Sequence, residues 1–537
     1  MAVTTLFAGS IPGLHGDEAW VLRQVAEISK GARPLSGMTS YSGALNQYLL
    51  WPFLAAGGYG VWTLRAVCGA ANAVAALLAL AIVRVLHPGD RAILRWTGAL
   101  WVTSVPFVLF SRFAIELTML TPLLVLGAVW LASVAIRAKS AARFALAGLG
   151  SGLTLGLAVY NHVIAIAIVA ALLFGAFAGF DRPLFRKRIF WLVAAGLAIG
   201  SVPALANLAR ALPGPSPAAE VHELPSPQSL ADAREEAAPP RSLQRLMKSA
   251  GDLIRDLAYL PTALAGMLDG DLMFRQFTGE TLLPVVPYFS LALLGFGCAG
   301  WWRGRKGTLT PIDRSLLAAW LAMPIAIRVV APYMPLRLFE LPALVAPYAL
   351  VRFALPAAGR AGTGRAWIGH AALGAVLALQ VGYVATDYFW AFARSGGRLS
   401  YFQLGTNLAE TSNDFVRTDA LYRQLVDAGV GEVIGPWLLV SSLSGDDLPY
   451  HRLVVVPLDL ATLGTEAAAP RASNGRIAIV IYNITAPPGG ERLNELLAAP
   501  EFDAGALKYL RAPGFDDKFA VLVGDPAVET GDTAKKP

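Results

Sequence analysis

The feature that most limits what this chain can fold into is a series of apolar runs, each roughly 17 to 23 residues long, separated by short loops. A helix rising about 1.5 Å per residue needs about 20 such residues to cross the hydrocarbon layer of a bilayer. Ten runs approach that length, near 61–83, 96–111, 117–136, 144–160, 162–180, 189–209, 281–300, 315–331, 337–355 and 367–389. Only 15% of the residues are charged, against about 25% in a soluble domain, and the mean hydropathy is +0.53. The pattern predicts a polytopic α-helical membrane protein with about 10–11 transmembrane helices. Residues 1–14 contain no basic residue and are too few to cross as a helix, and they do not read as a signal peptide. The expectation is that a first span before His15 was clipped, or was lost to a late start codon, in preference to a tilted partial helix.

The loops between these runs alternate in charge. One set holds Arg84, Arg91 and Arg95; Arg137, Lys139 and Arg143; Arg182, Arg186, Lys187 and Arg188; Arg303, Arg305, Lys306 and Arg314; and Arg352, Arg360 and Arg365. The short turns between, at 111–116, 160–162 and 332–337, hold only Arg112 and Arg337. The positive-inside rule puts the first set in the cytoplasm and leaves Asp17, Glu18, residues 210–280 and everything after about 390 outside it. These loops account for the net charge of +7, so nucleic acid is not expected as a partner. Cys68 and Cys298 both lie in apolar runs, which argues against a disulfide framework, and no Cys or His spacing suggests zinc.

Two domains follow: a membrane domain over 1–389, with a first outer loop at 15–60 and a flexible outer loop at 210–280, and a soluble extracytoplasmic α/β domain over 390–537. The first outer loop predicts an amphipathic helix, then an interfacial or re-entrant segment in "YSGALNQYLLWPFLAAGGYG". Residues 210–245 are rich in Pro, Ala and Glu and read as flexible. In the tail, "RTDALYRQLVDAG" predicts a helix, and "HRLVVVPLD", "GRIAIVIYN" and "KFAVLVGD" predict buried strands. "GVGEVIG" follows a helix and departs from G-x-G-x-x-G, so it reads as a helix stop leading into a strand and not as a nucleotide loop.

Ionisable residues at the edge of an apolar bundle are costly and usually mark a site. The topology brings several to one face: Asp17 and Glu18, Arg65, Arg112 and Glu116 in "SRFAIELTML", Asn161 and His162 in "AVYNHVIAI", and Arg337 in "PLRLFELPALVAPYAL". Each also has a plainer reading. Asp17 can cap a helix. Arg112 and Glu116, four apart, can form a helix-surface ion pair. Asn161 and His162 can turn a helical hairpin, and Arg65 and Arg337 can snorkel to headgroups. One chemistry would use them all. When an acceptor hydroxyl attacks the anomeric carbon of a lipid-linked sugar, a carboxylate must take its proton and cations must steady the departing phosphate. The isoprenoid tail would enter from the bilayer.

These stretches, with "HGDEAW", "NQYLLWPFLAAGGYGVWTLRAVCGA", "GLTLGLAVYNH" and "MPLRLFELPALVAPYAL", resemble the GT-C class of integral membrane glycosyltransferases. That class includes protein O-mannosyltransferases and bacterial enzymes that transfer aminoarabinose to lipid A. The tail also resembles one found in bacterial relatives. The resemblance implies a GT-C-like membrane domain, with Asp17 as the catalytic carboxylate and Glu18 holding the acceptor or a divalent cation. It implies that Glu116 fills the second acidic position, where many members carry Asp. Arg337 would contact the donor phosphate, although it is followed by Leu338 where the class often has Tyr. Asn161 and His162 stand where relatives often carry Thr-Lys. Arg65, Arg112 and His162 join the expected substrate-binding set. The implied partners are the bilayer, a polyprenyl-phosphate sugar donor, and a lipid, glycan or protein acceptor.

Two other functions compete with an inverting transferase. A transporter or flippase for a lipid-linked or anionic substrate would often show internal repeats and broken helices at mid-membrane, and no repeat is evident. A non-catalytic membrane assembly protein would not need Asp17 and Glu18.

Overall fold

The computed structural model describes residues 16–37, 42–58, 60–104, 107–108, 111–112, 114, 116–179, 187–211, 310–330, 345–355, 366–390, 429–435, 454–457, 476–482, 508–510 and 519–524. The helices are α1 (Gly16–Ser29), α2 (Leu45–Gly57), α3 (Val61–Leu86), α4 (Arg91–Thr103), α5 (Glu116–Ile136), α6 (Ala141–Asn161), α7 (Ala165–Gly179), α8 (Arg188–Ala211), α9 (Pro311–Val330), α10 (Ala346–Ala354) and α11 (Ala366–Tyr383). A π-helical turn, Val384–Trp390, continues α11. Among the described residues five helices are long and apolar enough to cross a membrane: Trp62–Leu86, Leu117–Ile136, Ala141–Asn161, Arg188–Ala209 and Trp367–Thr386. Large apolar side chains such as Leu77, Trp191, Ile199 and Leu205 remain exposed along them, as expected for helices that face lipid. The chain is a polytopic α-helical membrane protein.

Local chemistry accounts for several helix ends. Asp90 caps α4, its carboxylate accepting from the amides of Ala92 and Ile93. Ser140 caps α6 through the Arg143 amide. Thr310 and Asp313 cap α9 reciprocally, each side chain accepting from the other's amide. The run expected at 96–111 departs from prediction: its helix starts at Arg91 but is only 13 residues long. It stops where Ser104 turns extended, just ahead of Val105-Pro106, since the residue before a proline avoids the α region. The run expected at 162–180 yields only the 15-residue Ala165–Gly179, because His162 adopts an extended conformation and ends the preceding helix. The span expected at 281–300 and residues 337–344 of the one expected at 337–355 lie outside the described residues.

Helices α6 and α8 approach closely through glycines. A Cβ on Gly152 would collide with the Val193 carbonyl oxygen, and one on Gly196 with that of Leu149. Small residues spaced four apart let backbones meet in this way. The larger core joins α3, α4, α5, α7, α9, α10 and α11 around Trp101, Trp320, Met323 and Leu373.

At the end bearing the basic loops, a polar group closes this bundle. The Asp313 carboxylate accepts from the Tyr348 hydroxyl, from Arg352 Nη2 at 3.1 Å and from the Thr310 amide at 2.9 Å. His87 Nε2 lies 3.0 Å from Asp313 Oδ1 and 2.9 Å from the Tyr348 hydroxyl. Arg352, read from the sequence as a loop cation, is 5% exposed and belongs to this brace. An apolar cavity lined by residues including Trp101, Met323 and Tyr348 lies inside the bundle and abuts the same cluster through Tyr348.

The tail contains a five-stranded sheet: β1 (Val430–Gly435), β2 (Val454–Pro457), β3 (Arg476–Tyr482), β4 (Lys508–Leu510) and β5 (Phe519–Gly524), in the order β2-β1-β3-β5-β4. β1 pairs in parallel with β2 and β3, while β5 pairs antiparallel with β3 and β4. The three expected strands are β2, β3 and β5. "VGEVIG" is β1, reached through Gly429 at φ +73°, a left-handed conformation that suits a helix stop. The expected helix at "RTDALYRQLVDAG" lies outside the described residues. β4 was not anticipated, since three residues are too few to show alternation.

Candidate active site

At the end of the bundle opposite the basic loops, the outer segment forms two helices joined by a short connection. Val21, Leu22, Val25 and Ile28 of α1 are buried, so this helix packs as the predicted amphipathic element. In α2, Leu50 and Leu54 are buried while Trp51 and Phe53 are partly exposed, the arrangement of an interfacial helix. Gln24 links the two: its amide donates to the Gly37 carbonyl at 2.9 Å and accepts from Gln47 at 2.9 Å.

Asp17 is the second residue of α1. It therefore sits inside the first turn, where the helix dipole favours a carboxylate, and not at the cap. Its side chain, like that of Glu116, which opens α5, is outside the described atoms. Arg337 is outside the described residues altogether. Glu18 is defined in detail. It is fully buried, and it accepts from Arg65 Nε at 2.9 Å, from Arg65 Nη2 at 2.5 Å and from the Ala114 amide at 3.1 Å. This two-pronged guanidinium–carboxylate geometry is among the stronger charged contacts. Arg65 is fully buried as well, which excludes its reading as a snorkelling side chain. The pair ties the first turn of α1 to the second turn of α3 and to the segment just before α5.

Arg112 occupies a turn before that helix begins, so it and Glu116 do not lie on one continuous helix. It is fully buried, and its guanidinium carbon lies 5.1 Å from the Phe389 ring centroid, within cation–π range. Phe389 belongs to the π-helical turn, a type of irregularity found frequently at functional sites. Glu18, Arg65 and Arg112 are thus brought together through Ala114, which lies two residues beyond Arg112 and two before Glu116.

Asn161 and His162 turn the α6–α7 connection, as their plainer reading expected. His162 caps α6 with its backbone and accepts from the Ile164 amide at Nδ1. It also forms an antiparallel bridge with Ser42, and the Asn161 carbonyl accepts from the Gly43 amide. His162 is therefore joined to the outer loop. Asn161 Nδ2 donates to Thr121 Oγ1 at 3.1 Å, and Asn72 Nδ2 donates to the Thr118 carbonyl at 3.1 Å. Asn46, Gln47, Asn72, Thr118 and Thr121, all buried, extend the polar region into the bundle. Sequence reasoning missed these residues; the available signal was uncharged amides within or beside apolar runs, where a polar group needs a partner.

The Glu18 carboxylate is engaged by a guanidinium and a backbone amide, a setting that would repel a divalent cation. Among the described residues no three of His, Cys, Asp and Glu gather as metal ligands. The described residues do not fit a cation at Glu18.

No family model and no curated protein matches this chain. Among solved structures it is similar to the crystal structure of ArnT from Cupriavidus metallidurans bound to undecaprenyl phosphate, at 12% identity and TM-score 0.44 over 97% of this chain and 96% of that one. The apo form of the same protein gives 12% identity and TM-score 0.43 with the same coverage. The Archaeoglobus fulgidus oligosaccharyltransferase tethered with an acceptor peptide gives 14% identity and TM-score 0.41, over 94% of this chain and 70% of that one. Likenesses this distant assign neither a family nor the role of any residue.

Proposed function

We propose that this chain transfers a sugar from a polyprenyl-phosphate-linked donor to an acceptor hydroxyl at the extracytoplasmic membrane face, with inversion at the anomeric carbon. The acceptor oxygen attacks that carbon from the side opposite the leaving group and forms the new glycosidic bond. The bond from the anomeric carbon to the phosphate oxygen breaks, and its electron pair leaves with polyprenyl phosphate. The hydroxyl proton passes to the Asp17 carboxylate as general base. Arg112, Arg337 and His162 steady the charge that grows on the phosphate. Glu116 contacts substrate, and Glu18 and Arg65 act by fixing the helix turn that carries Asp17.

The observation that carries this reading is the Glu18–Arg65–Ala114 junction. It pins the turn bearing Asp17 beside the turn bearing Arg112, at the end of an apolar bundle that a lipid tail can approach from the side. Binding energy used to fix groups in place before reaction is a large part of catalysis. The polar region through Asn72, Thr118, Thr121 and Asn161 favours one second reading, a pathway for a transported anionic or lipid-linked substrate. Purified protein incubated with radiolabelled polyprenyl-phosphate sugars and membrane extract separates the two. Label covalently attached to an acceptor supports transfer; label that crosses vesicles still on its carrier supports transport.

A further inference from the structure

Asn46 stands out among the polar residues at this end of the bundle. It is the second residue of α2, it is fully buried, and neither its Nδ2 nor its Oδ1 has a hydrogen-bond partner. Its neighbour Gln47 reaches Gln24, while Leu50 and Leu54, one and two turns further on, are buried on the same side of the helix. A buried carboxamide without partners is unfavourable unless a ligand bonds to it. The chemistry of the group narrows the ligand. An amide presents one acceptor and two donor hydrogens, which complements hydroxyls that both donate and accept. A phosphate only accepts, and an isoprenoid chain does neither.

We propose that Asn46 binds a hydroxyl of the sugar carried by the lipid-linked donor and so helps decide which sugar is transferred. This rests on the transferase reading above. The position suits the role: α2 is bonded through Gln47, Gln24 and Gly37 to α1, which carries Asp17. The entry to α2 is bridged through Ser42 to His162. The segment before α2 is held also by the Ser36–Gly43 bridge and by the Tyr160 hydroxyl donating to the Leu35 carbonyl.

The test compares wild type with Asn46→Leu, an apolar side chain of similar size. It measures donor KM for the active polyprenyl-phosphate sugar and for its singly deoxygenated forms, together with thermal unfolding in detergent. The expected result is a donor KM raised roughly tenfold or more, the loss of one buried hydrogen bond. One deoxy donor that wild type binds less well than the parent should be bound equally by the variant. The melting temperature should hold or rise, since a partnerless amide has been replaced by an apolar group. Unchanged KM and unchanged discrimination would overturn the proposal, as would a lowered melting temperature with donor affinity intact, which marks a structural role. If wild type transfers no sugar from any donor, the transferase reading falls and this inference with it. If wild type transfers and the variant matches it, only the inference falls.

Discussion

Glu18 accepts from two nitrogens of the buried Arg65, and removing its carboxylate breaks that pair from one side. Glu18→Ala should therefore lower stability by about 3–5 kcal/mol, the usual cost of breaking a buried ion pair in this way. The double variant Glu18→Leu, Arg65→Met should recover most of that loss, because both charges then leave the interior together. Thermal unfolding of the three proteins checks this, and a double variant no more stable than Glu18→Ala would contradict the paired geometry. Asp17→Asn belongs to a different class. It keeps the size of the side chain and should leave folding unchanged. The sequence marked Glu18 and Arg65 separately, because a charge at the edge of an apolar run is conspicuous. Their contact joins residues 47 apart, and nothing local in the chain encodes it. Asn46 was legible only as an amide beside an apolar run, which is ordinary until its surroundings show that no partner reaches it.

At the level of the elements, the α6–α8 contact depends on the absence of side chains. Gly152→Leu would push its Cβ into the Val193 carbonyl, and should cost about 1–3 kcal/mol as overpacking. The same change at Gly150, whose Cβ would meet only Leu131 Cδ1 at 3.5 Å, should be better tolerated. Equal loss at both sites would deny that backbone approach sets this interface. The brace at the other end makes a matching prediction. Asp313→Asn removes the charge that Arg352 and His87 share and should destabilise by about 3 kcal/mol or more, whereas Arg314→Gln, its immediate neighbour, should have the smaller effect. Helix positions were legible because apolar length is a strong signal. The two helices that came out short show its limit: the extended backbone of Ser104 and of His162 bounds them, which a count of apolar residues ignores. The parallel strands β1, β2 and β3 were visible as β-branched runs, but their order is set by pairing between distant segments.

For the whole molecule, the alternating basic loops make a prediction about sides. With Cys68 and Cys298 replaced by alanine, a cysteine placed at Ser140 should react with a membrane-impermeant maleimide only from the cytoplasmic side. A cysteine placed in the tail, at Thr530, should react only from the opposite side. Reaction of both from the same side would invert or break the topology on which the site depends. The arrangement has a physical logic: a lipid-borne donor must present its sugar where the apolar bundle ends, and the fixed turns of α1, α3 and the segment before α5 meet there. The central claim is that the carboxylate held in the first turn of α1 removes the acceptor's proton. Its most direct test is the rate of label transfer from polyprenyl-phosphate sugar by Asp17→Asn against wild type, with the anomeric configuration of the product determined. The account predicts an inverted product from wild type and a rate lower by roughly 10²–10⁴ in the variant, with the fold intact. Transfer by Asp17→Asn at the wild-type rate, or a retained anomeric configuration, would contradict it.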